Sequence, residues 1–93
     1  YEHVRAQRDI TAPFSPSPFE LEVRGDCPTG KVVTGIGGFV QYYNAEGFLR
    51  LGSIAYMRGS SIDDTSYSVG PDVPPAGVTR ITVHAEAFCI TAG

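Results

Sequence analysis

A chain of 93 residues has room for one domain and a modest core, not for two. Seven basic against ten acidic residues leave a formal charge of −3, which excludes the broad basic footprint of a nucleic-acid binder. Charged residues make up 18% and hydrophobic ones 42%, and eleven Gly and seven Pro are too many for a helical bundle; no apolar run approaches the roughly 20 residues of a spanning helix, so no membrane insertion is expected.

Residues 2–12 alternate, with Val4, Ala6, Ile10 and Ala12 on one side and His3, Arg5, Gln7, Asp9 and Thr11 on the other. This predicts a strand. Arg8 interrupts the apolar side, and an inward charge is one way to protect a sheet edge. Pro13-Phe14-Ser15-Pro16-Ser17-Pro18 follows, too rich in proline for a continuous ladder, and reads as a stiff connector. Nothing basic flanks it, which argues against a proline-rich ligand for another domain. Phe19–Cys27 alternates apolar and charged residues and reads as the clearest strand. After a Pro28-Thr29-Gly30 turn, Lys31–Tyr43 is rich in β-branched and aromatic residues, interrupted by Gly35, Gly37 and Gly38. Such glycines mark a bulge, a bend or a close backbone approach. They match neither phosphate-binding fingerprint, and no helix pattern follows.

Asn44–Gly47 is a turn cluster, and Phe48–Arg58 reads as one strand with apolar groups on both faces. A loop over 59–64 leads to a short strand at Thr65–Val69. A second, proline-rich loop leads to the last strand, Val78–Thr91. No segment has helical periodicity. Strands at this spacing, joined by Gly/Pro turns, predict an all-β fold. The expected form is an antiparallel β-sandwich, Ig-like or jelly-roll-like, of about six to seven strands.

Both cysteines, Cys27 and Cys89, fall on the apolar parity of their strands. Two inward sulfurs in one small core predict a disulfide, with two buried free thiols as the alternative. The bond would close residues 27–89 into a loop worth roughly 4 kcal/mol on a chain-entropy estimate. A disulfide implies an oxidising compartment. The chain opens on Tyr1 and carries no charged-then-apolar leader, so a secreted, extracellular protein after signal-peptide removal is expected.

Cys27-Pro28-Thr29-Gly30-Lys31-Val32-Val33-Thr34-Gly35-Ile36-Gly37-Gly38 resembles the Cys-Pro-Ala-Gly-Lys-x-Val-x-Gly-Gly-Gly segment of small secreted bacterial β-domains of actinobacterial type. Ile81-Thr82-Val83-His84-Ala85-Glu86-Ala87-Phe88-Cys89 is similar to their closing Thr-Val-Thr-Val-Tyr-Ala-x-Cys strand, with two extra residues before the cysteine. Ile36 inside the glycine run and the long proline-rich loop depart from that pattern. The resemblance spans residue 19 onward and implies a secreted antiparallel domain with paired cysteines and no catalytic residues.

Candidate chemistry is sparse. For nucleophilic catalysis the candidates are His3 and His84 with any of several serines; His84 shares a strand face with Glu86, but no serine sits in a nucleophile elbow. No enzyme activity and no cofactor are expected. The histidines lack zinc spacing; Asp63, Asp64 and Asp72 are weak calcium candidates on loops. A sugar-binding face needs aromatic platforms, for which Tyr42, Tyr43 and Tyr56 are the candidates; of the adjacent pair, one faces out of the core.

The expected organisation is an N-terminal strand or arm over 1–14, a Pro-rich hinge over 15–18 and a disulfide-closed body over 19–93. Such an arm pairs with its own sheet or adds a strand to a neighbour's. The leading functional expectation is a non-catalytic structural protein that self-associates into an extracellular assembly or fibre, with other copies as partners and Val4, Ala6, Ile10 and Phe14 as anchors. The alternative is a carbohydrate- or cell-surface-binding module, with glycans as partners.

Overall fold

A computed structural model describes residues 2–59 and 65–91. It is an antiparallel β-sandwich of seven strands: β1 (Glu2–Thr11), β2 (Val23–Asp26), β3 (Lys31–Asn44), β4 (Gly47–Leu51), β5 (Ile54–Arg58), β6 (Ser66–Pro71) and β7 (Arg80–Thr91). One sheet has the order β1-β7-β3-β4 and the other β2-β6-β5. The first strand pairs with the last and the second with the last but one, the nested wrapping of a jelly roll. The long strands β3 and β7 set the 47 Å axis of a body only 22 × 16 Å across.

The core lies between the sheets. Ile81, Val83, Ala85, Ala87 and Cys89 of β7 meet Val33, Val40 and Tyr42 of β3 and Val23, Tyr67 and Val69 of the second sheet. A Cβ on Gly38 would stand 2.8 Å from a Val69 methyl and 2.6 Å from the His84 carbonyl, so the bare backbone there lets the sheets close. The Cys27–Cys89 disulfide (S–S 2.03 Å, Cα–Cα 5.9 Å) ties the end of β2 to β7, one sheet to the other.

Two expected strands are redrawn. Phe19–Cys27 contracts to β2, because Pro18–Glu20 forms a 3-10 turn with proline in its first position. Phe48–Arg58 breaks at Gly52-Ser53 into β4 and β5, which belong to different sheets. Its apolar residues on both faces reflect that crossing. The Gly52 amide donates to Val40 O (2.7 Å), and the Tyr42 ring occupies the space a side chain at 52 would fill.

The N-terminal strand is not set apart from the body. β1 pairs with β7 over its whole length, from Glu2↔Cys89 to Thr11↔Arg80. Val4, Ala6, Ile10 and Phe14 pack against the chain's own core. β1 lies at the edge of its sheet, and the Arg8 guanidinium donates to the carbonyls of Glu20 (3.0 Å) and Glu22 (2.9 Å), bridging the rims of the two sheets. The proline connector continues straight into the turn at Pro18–Glu20, with Ser15 bonded to the Glu20 carboxylate.

Candidate functional site: the outer face of the four-stranded sheet

Register decides what this face presents. On β7 residues 81, 83, 85, 87 and 89 are buried in the core, so Arg80, Thr82, His84, Glu86, Phe88 and Ile90 lie on the other face, where Thr82 is covered by its neighbours. On β3 the register slips between Val33 and Gly35. That bulge reverses parity: Val33 faces inward before it, and Val40 and Tyr42 face inward after it. Gly35, Gly37, Phe39, Gln41 and Tyr43 therefore point outward.

The pairings assemble cross-strand rows. Gln7, His84 and Phe39 form one; Arg5, Glu86 and Gly37 form the next toward the disulfide end. Between them runs Ala6, Ala85 and Gly38, whose side-chain positions face the core. The backbone of that middle row is thus the floor of an open hollow of about 440 Å³, walled by Phe39 and His84 on one side and Arg5 and Glu86 on the other. Gly37 leaves a gap in the second wall.

The walls are held in place. The Phe39 and His84 rings stack at 4.2 Å and 11°. Gln41 Oε1 accepts from the hydroxyls of Thr82 (2.9 Å) and Tyr43 (3.2 Å) and lies 3.0 Å from His84 Nε2. A carboxamide oxygen only accepts, so this arrangement places the imidazole proton on Nε2. At the disulfide end His3 stacks on Phe88 (4.7 Å) and reaches Glu86 Oε2 at 2.9 Å. At the other end Arg80 lies 4.0 Å above the Tyr43 ring, which meets Phe48 edge-on. Ring pairs at positions 88 and 84 of β7, and the Arg80–Tyr43 contact at position 80, thus alternate with polar rows at 86 and 82. Phe39, Phe48 and Phe88 are 45%, 54% and 41% exposed.

The three tyrosine candidates part company. Tyr42 is buried at 3% exposure, with the Arg50 guanidinium 5.4 Å from its ring. Tyr43 is the outward member of the pair. Tyr56 lies half-buried on the outer face of the other sheet, its hydroxyl donating to Glu22. Burial first, and then that bond to a carboxylate, push the Tyr56 phenol up to about 12. Burial likewise raises Tyr67, with the charge of Asp26 adding to it. Asp63 and Asp64 lie outside the described residues, and Asp72 is exposed with its amide bonded to Ser53 O (3.0 Å). Among the described residues no three His, Cys, Asp or Glu gather as a metal site. No helix among them is long and apolar enough to cross a membrane.

Phe39, His3 and Phe88 were not among the expected site residues. The parity of β7 gives Phe88 away in the sequence, whereas the bulge hides Phe39. Fold and face together define a small, disulfide-stapled β-sandwich that carries an aromatic and polar outer surface. Comparison with protein-family models, with curated proteins and with solved structures found no match to this chain.

Proposed function

We propose that this chain is a secreted, non-catalytic binding module that takes glycans on the outer face of its four-stranded sheet. The observation that carries this is the Phe39–His84 stack beside the hollow, with Arg5, Gln7 and Glu86 at its rim. Sugars present apolar C–H faces between hydroxyl groups, and a surface that alternates rings with hydrogen-bonding side chains matches both. The Cys27–Cys89 disulfide supports an oxidising, extracellular setting. The non-catalytic reading is supported by the hydroxyl beside His84: Thr82 Oγ1, 3.2 Å from Nε2, donates its proton to Gln41 Oε1 (2.9 Å), so the imidazole does not activate it as a nucleophile. Glycan-array binding tests the proposal. The wild-type chain retains a defined set of glycans and Phe39→Ala loses them; no retained glycan, or equal retention by the variant, contradicts it.

A second reading, self-association through β1, is supported by one observation. β1 is an edge strand, paired on one side only. A β1 given to a neighbour would take the same register on that neighbour's β7, and Val4, Ala6, Ile10 and Phe14 would anchor it there as they do on their own chain. A monomeric mass at high protein concentration counts against this reading.

A further inference from the structure

The outer face of the three-stranded sheet carries a separate cluster. β6 is its central strand, so residues of β6 have cross-strand neighbours on both sides. Ser68 stands between Arg24 of β2 and Arg58 of β5, and Ser66 stands opposite Asp26. Directly opposed residues of antiparallel strands project from the same face, so the two arginines flank Ser68. With strands about 4.8 Å apart, their Cα atoms are about 10 Å apart, and two long guanidinium side chains can converge over one serine.

Like charges placed this way repel. The one carboxylate paired with either of them among the described residues, Glu22, offsets part of that. The Glu22 carboxylate accepts from the Tyr56 hydroxyl and stands 3.8 Å from Arg24 Nε, beyond hydrogen-bond length. Arg58 rests over the rings of Tyr56 (4.9 Å) and Phe19 (5.1 Å). Among the described residues, the ion pairs are His3–Glu86, Arg24–Glu22 and Lys31–Glu2, so Arg58 has no carboxylate partner there. A hollow of about 310 Å³ opens between the arginines, lined also by Glu22, Gly59, Ser66, Tyr67 and Ser68, the last buried at 5% exposure on its floor.

We propose that this hollow binds one tetrahedral oxyanion, a sulfate or phosphate group, held between Arg24 and Arg58 above the hydroxyls of Ser66 and Ser68. The planar guanidinium fork suits such an anion, and serine hydroxyls add neutral donors. The net charge of −3 opposes a long polyanion and favours a single group. That group reaches the site either as the free ion or as a monoester on a sugar.

Amide chemical-shift titration of the full chain tests this, with sodium sulfate, sodium phosphate and galactose 6-sulfate as probes and sodium chloride at matched ionic strength as the baseline. Saturable shifts at Arg24, Arg58, Ser66 and Ser68 are expected. Arg24→Gln and Arg58→Gln each weaken binding about tenfold or more, the scale of one charge-assisted hydrogen bond. Arg50→Gln, which removes an arginine from the other sheet, leaves this binding unchanged and separates the site from a general effect of charge. Tighter binding of the sugar sulfate than of free sulfate assigns the group to a glycan; equal binding assigns it to the free ion. Should Arg58→Gln disturb the rings beneath it, Arg24→Gln decides alone, since the Arg24 side chain is 69% exposed. Non-saturating shifts that match chloride, or saturable binding that both variants keep, overturn the proposal.

Discussion

Phe39 is the residue on which the binding face turns. Its ring is 45% exposed and stacked on His84 rather than buried, so Phe39→Ala is expected to change stability by no more than about 1 kcal/mol. Glycan binding by the same variant is expected to fall tenfold or more; a thermal melt and a binding titration on one sample separate the two effects. Tyr56 gives a prediction in pH. Its phenol is raised from 10.0 to about 12, so the folded chain holds that proton more tightly than the unfolded one. The stability this contributes is complete below pH 10 and is lost as pH rises toward 12; the raised Tyr67 acts in the same direction. Denaturation midpoints from pH 9 to 12 should therefore fall, and fall less steeply in Tyr56→Phe. An equal slope in that variant would assign the loss elsewhere.

Among the elements, β1 separates what the sequence disclosed from what it hid. Alternation over 2–12 located the strand, and Arg8 at an inward position announced an edge. No local pattern could say on which strand it docks, because pairing with β7 joins the two ends of the chain. Removing residues 2–11 would uncover Ile81, Val83 and Ala85 and take Arg5 and Gln7 from the rim of the hollow. Far-UV circular dichroism of that truncation should show a lost fold, not an intact body. Arg8→Ala, which loses only the two bonds to Glu20 O and Glu22 O, should cost about 1–2 kcal/mol in a denaturant titration. β3 was legible as a strand, but its facing was not. Regular alternation from Val33 sends Phe39 inward and Tyr42 outward; one extra residue at Thr34, whose hydroxyl donates to Phe88 O (3.0 Å), reverses both. The break between β4 and β5 was hidden for a similar reason. Gly52 is a single residue inside an apolar run, and what makes it a crossing is the Tyr42 ring lying against it.

At the scale of the whole molecule, a narrow sandwich of this length depends on its staple. The sequence indicated the Cys27–Cys89 pair through inward parity, and the structure adds that the bond joins opposite sheets. With the two cysteines 62 positions apart, opening the bond to two serines should remove roughly 4 kcal/mol by the chain-entropy estimate, read as a lower urea midpoint. The sandwich leaves two chemically different outer faces. One sheet presents stacked rings between polar rows, the other two arginines around a serine. The most direct test of the account is to map, by amide chemical shifts, where a bound glycan contacts the intact chain. Saturable shifts centred on Arg5, Gln7, Phe39, His84 and Glu86, and absent in Phe39→Ala, are the predicted result; shifts confined to other surfaces would contradict it.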